Sequence, residues 1–374
     1  MQTNKLTYDC AIIGGGLAGL CLSIQLVKAG HKVILFEKNE YPFHKVCGEY
    51  ISNESWSFLE ELGVPLSNMN LPKINQLGVS STKGFMLEAP LKMGGFGISR
   101  YTLDNELAKL AKQNGVTVFE NCKVNDVKTS NNIYTLHTTN GVYTSKILCG
   151  SYGRHSPMFM DKKSKTSTQN YIGVKYHIKT SFIDNRIELH NFKDGYCGIS
   201  KVDNDTYCLC YITTSKNLKD NGNDIKKMEE AILMQNPYLK KYFSSSQFLF
   251  EKPVTVSQIT FNKKSTYSND FFILGDAAGA IAPLCGNGMS MAMRTSKILA
   301  IGLTNYFNNS ISKNELIKLY QKEWDANFST RIKVGYYLQQ VLGKNKITHV
   351  SLKFLSKTPQ LLQKLISLTH GQTF

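Results

Sequence analysis

The run YDCAIIGGGLAG near the start of the chain constrains the fold more than any other stretch. Residues 8–13 read as a short buried strand, and an apolar helix runs from 17 to about Ala29. Gly14-x-Gly16-x-x-Gly19 lies between them. Gly30 ends the helix, and HKVILFEK, residues 31–38, reads as a second strand that closes on Glu37 and Lys38. A strand, glycine turn and helix, with an acid about twenty residues further on, is the arrangement that binds a dinucleotide. Gly14 permits the tight turn, Gly16 lets a pyrophosphate approach the backbone, and Gly19 lets helix and strand pack closely. The helix N-terminus turns unpaired N–H groups and a positive dipole end toward the phosphates. Glu37 is the acceptor for ribose hydroxyls, and Lys38 joins it in the cofactor-binding set. The pattern leaves NAD and FAD both open.

A second segment decides between them. FFILGDAAGAIAPLCGNGMSMAMRTSKILA, residues 271–300, reads as an apolar strand, then Gly275-Asp276, then a loop with Pro283, Gly286 and Gly288. An apolar helix follows to about Phe307. This resembles the second FAD motif of the flavoprotein family that contains p-hydroxybenzoate hydroxylase and the geranylgeranyl reductases. The resemblance implies FAD, with Asp276 on the ribityl chain. It also implies that the helix starting near Gly288-Met289 points at the pyrimidine edge of the flavin. Reduction puts negative charge there, which a helix N-terminus stabilises. ISRYTLDNELAKLAKQNG, residues 98–115, is similar to the start of the central helix in these proteins. By that likeness Arg100 lies near the FAD phosphates. One departure stands out in GSYGRHS, residues 150–156, where Tyr152 occupies the place of an expected aspartate. Gly153, Arg154 and Ser156 are kept, so the departure bears on the electron donor more than on the fold. NAD(P)H is the expected transient donor, although no second glycine fingerprint exists for it.

Between Ile172 and Ile259 the pattern changes to alternating strands: YIGVKYHIKT, NRIELHNF, GYCGISKV, TYCLCYITT and EKPVTVSQI, with a helix over DIKKMEEAILMQN. The fold class expected is α/β, a Rossmann-type (GR2-like) FAD-binding domain with an inserted, mainly antiparallel β-sheet substrate domain and a C-terminal helical segment. The FAD domain takes 1–75, 95–170 and 265–310, the substrate sheet 76–94 and 171–264, and the helical cap 311–374. The active site falls in the cavity between domain and sheet. KVCGEY, residues 45–50, and GYCGISK, residues 195–201, are similar to segments of the geranylgeranyl-reductase-like branch. That likeness puts Cys47 against the flavin from the substrate side. There it donates a proton to a substrate carbanion or shapes the pocket; the bland alternative is a buried structural thiol. Lys45 is placed to lower its pKa if the geometry allows.

Three functions follow. The first is reduction of carbon–carbon double bonds in a hydrophobic isoprenoid- or polyketide-like substrate. The second is hydroxylation of an aromatic or phenolic substrate through a flavin C4a-hydroperoxide, and the third is a non-catalytic FAD-binding module. Halogenation is disfavoured, because tryptophan occurs only at 56 and 324 and neither sits in a WxWxIP context.

Composition bounds the partners. The nine cysteines form no CxxC pair, which fits thiols of a reducing compartment. No run approaches the roughly 18–20 apolar residues of a membrane span. A cytoplasmic protein without a metal site is expected. The net charge of +16 is uneven: after Asp325 there is no acid, while Arg331, Lys333, Lys344, Lys346, Lys353, Lys357 and Lys364 remain. No interleaved aromatic platform marks this tail for nucleic acid. Apolar residues recur in it at helical spacing, and Thr358-Pro359 fits the cap and first position of the last helix. The tail is read as a helical cap with a solvated basic face. The sharper alternative is attraction to an anionic membrane surface or an acidic carrier protein.

Overall fold

The computed structural model describes residues 7–160, 170–259, 264–279 and 286–374. Pro283 of the second motif lies outside them.

Two sheets organise the chain. In the first, Thr7–Ile13 is central and pairs in parallel with Val33–Phe36 on one side and Gly141–Gly150 on the other. Thr117–Phe119 and Phe271–Ile273 extend it in parallel beyond these neighbours. Cys10, Ala11, Ile12, Ile34, Leu35 and Leu148 are completely buried. Their unbroken apolar runs are what a parallel sheet covered on both faces requires. Helix Leu17–Lys28 packs on Gly288–Phe307, and together they cover one side of the sheet. The strands Thr7–Ile13, Val33–Phe36, Gly141–Gly150 and Phe271–Ile273 all end at the same edge. That edge, outside the carboxyl ends of the strands, is where open α/β sheets bind ligands.

The second sheet has nine strands. Tyr171–Lys179, Thr206–Thr214, Gly195–Val202 and Arg186–Phe192 are successive antiparallel neighbours. Arg186–Phe192 then pairs in parallel with Lys73–Ser80, which pairs antiparallel with Met86–Gly97. The mainly antiparallel substrate sheet is therefore present, as is the C-terminal helical segment. The sheet also reaches into the expected 1–75 and 95–170 segments. Tyr50–Ser52 pairs with the end of Met86–Gly97, in the register Tyr50↔Gly97 and Ile51↔Phe96. The 44–50 loop thus carries the chain from one sheet to the other. The helix expected over residues 224–236 is shorter, Ile225–Ala231, and a second one, Pro237–Ser245, follows it. The first helix gives way to a 3-10 turn over Leu233–Gln235, well before Pro237. Pro237 starts the second, with the Asn236 side chain accepting from the Tyr238 N–H.

The last three helices are Lys313–Val341, Asn345–Ser356 and Pro359–Thr369. Ser312 and Glu315 form a reciprocal capping box at the first. Its residues Tyr320, Trp324 and Phe328 are buried in the main core. The other two helices fold back over the second sheet, where Leu352 and Leu362 pack on Val79, Leu87 and Ala89. Among the described residues no helix is long and apolar enough to cross a membrane.

Candidate active site

A cavity of about 1180 Å³ lies between the sheets. Small-molecule sites are typically about 300–1,000 Å³, so a cofactor and a substrate can occupy this one together. Its two ends differ in chemistry.

One end is built by the glycine turn. Gly14 has φ 103°, and a Cβ there would lie 2.4 Å from the Ser151 carbonyl oxygen. A Cβ on Gly19 would lie 2.2 Å from the Gly14 carbonyl oxygen, so helix and turn touch backbone to backbone. Gly16 is different: its Cβ would meet nothing closer than the Arg100 Nη2 at 4.0 Å. It opens into the cavity, and among the described residues the one group within 4 Å of that Cβ is a cation. The helix after Gly16 has no side-chain cap. Its N–H groups and Arg100 therefore offer an anion two kinds of positive charge at once. Arg100 is held by both oxygens of Asp104, at 2.7 Å each, and Lys45 joins Asp104 at 2.9 Å. Burial alone would raise the Asp104 pKa, but these two cations carry it below the ordinary carboxylate range. Glu37 lines the same end, buried, and accepts from the Gly15 N–H at 2.9 Å and from Asn39. Lys38 stands exposed at the rim.

The second motif closes the middle of the cavity. Gly275, with φ 63°, turns the chain at the end of Phe271–Ile273. Asp276 lines the cavity and accepts from Arg154 Nε at 2.8 Å. Arg154 was read only as a retained family position; the structure makes it the partner of Asp276. Gly286, Gly288 and Met289 also line the cavity, and helix Gly288–Phe307 begins there with no side-chain cap. Tyr152 packs under Gly150, whose Cβ would fall 2.6 Å from the ring. All the residues expected to bind cofactor except Gly19, which acts by packing, therefore line one continuous wall.

Cys47 faces that wall. Its Sγ lies 3.6 Å from Met289 Sδ, which places the 44–50 loop against the start of the second-motif helix. Lys45 does not activate it: that ammonium is committed to Asp104 and lies 4.3 Å from the Phe43 ring centroid. Burial instead pushes the Cys47 thiol up, and it stays protonated.

Behind Cys47 is a charged cluster that the sequence reading missed. Glu49 is completely buried in a left-handed backbone conformation, φ 57°. Its carboxylate accepts from the Arg100 N–H at 2.7 Å and from Lys175, and it contacts His177 Nε2 at 2.6 Å. Burial alone would raise its pKa; the hydrogen bond from His177 and the Lys175 charge bring it below the usual range. Cys208 Sγ donates to the Cys47 carbonyl at 3.2 Å and completes the support of the loop. Glu49, His177 and Cys208 are close enough to ligate one ion. The Lys175 ammonium already neutralises Glu49, however, and burial holds the Cys208 thiol protonated. A signal existed in YIGVKYHIKT, where Gly173, Lys175 and His177 alternate onto one face of an apolar strand.

The remaining end is aliphatic. Leu77, Val79 and Leu189 from the second sheet face Leu352, Leu355 and Ile366 from the last helices.

A family model described as an FAD binding domain matches residues 7–329. The chain belongs to that family. Residues 7–329 contain both glycine motifs, and the cavity wall suits FAD: open space at Gly16, a cation facing it, and two uncapped helix ends. Over 87% of its length the chain is 27% identical to conditioned medium factor receptor 1 of Dictyostelium discoideum, covering 69% of that protein. It is 24% identical to kynurenine 3-monooxygenase of Christiangramia forsetii, over 88% of this chain and 76% of that one. The likeness to digeranylgeranylglycerophospholipid reductase of Methanococcus vannielii is more distant, 20% identity, but spans 97% of this chain and 98% of that one. Among solved structures, the flavin-dependent brominase Bmp2 superposes with a TM-score of 0.81 at 18% identity, over 99% of this chain and 94% of that one. At that identity the match speaks for the fold. The chain is an FAD-binding protein of the p-hydroxybenzoate hydroxylase-like superfamily of flavin oxidoreductases.

Proposed function

We propose that this flavoprotein reduces carbon–carbon double bonds in an extended aliphatic substrate of isoprenoid or polyketide type, with NAD(P)H as the transient donor. The observation that carries the reading is the shape of the cavity. It runs from the cofactor wall, past a protonated thiol, into a largely aliphatic arm between the second sheet and the last two helices.

Reduced FAD, when bound, supplies a hydride to one carbon of the double bond. The other carbon takes a proton, and this chain holds one at Cys47 Sγ. The raised pKa of Cys47 suits it to act as an acid rather than as a thiolate nucleophile. Gly14, Gly16 and Arg100 hold the pyrophosphate, Asp276 and Arg154 the ribityl chain, and Glu37 the adenosine ribose. The N-terminus of Gly288–Phe307 stabilises charge on the reduced ring. Leu352, Leu355 and Ile366 exclude water from the arm in which the substrate chain lies.

A second reading, hydroxylation of an aromatic substrate, is favoured by the kynurenine 3-monooxygenase relatives. A single experiment separates the two. The FAD-loaded protein is photoreduced without oxygen and mixed in turn with polyprenyl lipids and with oxygenated buffer. Reoxidation by the lipid, with one double bond lost per flavin, supports the reductase. Reoxidation by oxygen through a resolved intermediate spectrum, with no response to the lipid, transfers the protein to the monooxygenases. A flavin that responds to neither, with any donor, leaves a binding module.

A further inference from the structure

The outer surface of the C-terminal helices differs from the rest of the molecule. Fourteen large apolar side chains are exposed among the described residues, and eight of them fall between Tyr336 and Leu368. Scattered exposed leucines need no explanation, but a cluster confined to the last three helices does. On Asn345–Ser356 and the residue just beyond it, the exposed positions other than Asn345 and Ser356 are Lys346, Ile347, Val350, Lys353, Phe354 and Lys357. Their spacing puts all six on one helical face. Val350 and Phe354 are 66% and 57% exposed. Pro359–Thr369 continues the surface with Leu361, Lys364 and Leu368, and the end of Lys313–Val341 adds Tyr336 and Tyr337. No acid occurs anywhere in this part of the chain, which follows Asp325. Arg331, counted with the basic tail from sequence, does not belong to the surface: it is buried, 3.4 Å from Glu54.

We propose that this face seats on an anionic lipid surface, with the side chains of Ile347, Val350 and Phe354 in the acyl boundary and the lysines at the headgroups. Charge complementarity selects the occupant. Lysines alone suit any polyanion, but the apolar residues interleaved with them need hydrocarbon as well: a nucleic acid backbone has none, an acidic protein would have to present a matching apolar patch, and a bilayer supplies it everywhere beneath its anionic headgroups. An interfacial helix needs both. The opposite faces of the same two helices carry Leu352, Leu355, Leu362 and Ile366, which wall the cavity. The helix pair therefore separates the bilayer from the aliphatic arm by a single layer. Docking stands on this surface alone; entry of substrate from the bilayer rests on the function proposed above.

The test is co-flotation of the full-length, FAD-loaded protein with vesicles. Phosphatidylcholine vesicles containing about 30 mol% phosphatidylglycerol are compared with pure phosphatidylcholine, since anionic lipid supplies the attraction. The protein is expected to float with the first and not the second, and to be released by high salt. Lys346→Glu/Lys353→Glu/Lys357→Glu should weaken binding by roughly a hundredfold or more, from three charges near the surface. Val350→Ser/Phe354→Ser should weaken it about tenfold or more at unchanged charge, by losing buried apolar area. Flavin absorbance, read on each variant, shows that the fold and the cofactor site are intact, independently of docking. Two results overturn the proposal. One is failure of the wild type to float with anionic vesicles at low salt. The other is salt-sensitive binding that ignores Val350→Ser/Phe354→Ser, which reduces the face to a basic surface attracted by any polyanion, with nothing seated in the acyl boundary.

Discussion

The cofactor wall and the substrate wall of the cavity are made by different means. The cofactor wall is a matter of backbone shape: three glycines, two uncapped helix ends and one arginine, nearly all within short contiguous motifs. The substrate wall is a matter of side-chain placement. Glu49 comes from the crossing loop and is held from behind by Lys175 and His177, on a strand more than a hundred residues later, while Leu362 comes from the last helix. A backbone-built site tolerates no added atoms. A site built from side chains depends on every charge it buries.

The largest expected effect is on the substrate wall. Glu49→Ala leaves the Lys175 ammonium buried without its counter-charge and removes the acceptor of the Arg100 N–H. Breaking such a buried pair costs about 3–5 kcal/mol. Denaturant unfolding should show it as a midpoint shift at unchanged m-value. A loss under about 1 kcal/mol would mean that Lys175 reaches solvent, and the contrast between the walls would fail.

The cofactor wall is tested by two methyl groups. In Gly19→Ala the new Cβ meets the Gly14 carbonyl at 2.2 Å, and the helix must back away at a cost of about 2–3 kcal/mol. Gly16→Ala meets nothing within hydrogen-bonding range, so the melting temperature of the apoprotein should stay within about 2 °C. Its methyl group occupies the space of the pyrophosphate, so FAD retention through gel filtration should fall. Full retention by Gly16→Ala would remove the pyrophosphate from this turn. Asp276→Ala should likewise lower FAD retention, and it removes the ion pair with Arg154.

Cys47 lies where the walls meet. Cys47→Ala should leave FAD bound and cut turnover on an unsaturated lipid by roughly a hundredfold, the low end of what a positioned acid contributes. Cys47→Ser should recover part of that loss and alter the pH profile. Unchanged turnover in both would reduce the thiol to packing.

The same contrast explains what could be read before the structure. The glycine motifs were legible because each glycine answers a steric demand set by residues a few positions away. Helix Gly288–Phe307 starts and ends where its pattern predicts for that reason. The Glu49–Lys175–His177 cluster was not, because it exists only through sheet register. The 171–179 strand reads as apolar with two polar interruptions, and nothing local says that a buried glutamate waits opposite them. Lys45 shows the converse error. Two residues before Cys47, it is placed to lower the thiol pKa if the geometry allows, yet its ammonium is drawn away by Asp104, fifty-nine residues on. The helix Pro237–Ser245 was legible but not read, since an asparagine before proline is a favoured helix start.

The smallest effect expected is a pH dependence, and it separates the two walls by window. His44, on the crossing loop, is stacked among Tyr101, Phe250 and His177 at 4.7–5.1 Å between ring centroids. Burial, helped by the Lys175 charge, lowers its pKa to about 4 from the ordinary 6.5. The folded state thus favours the neutral ring. That stabilisation is complete above the unfolded value and is lost as pH falls from about 6.5 to about 4. Asp104 on the cofactor wall, depressed by Arg100 and Lys45, keeps its contribution through that window and loses it only at lower pH. The melting temperature should therefore decline by a few degrees between about pH 6.5 and pH 4.5, since the ring is partly exposed and the full shift is not realised. His44→Phe keeps the stacking and removes the proton, so it should flatten this decline and leave the acid limb below it intact. An unchanged slope in His44→Phe would assign the titration to another group and leave the two walls with a single acid limit.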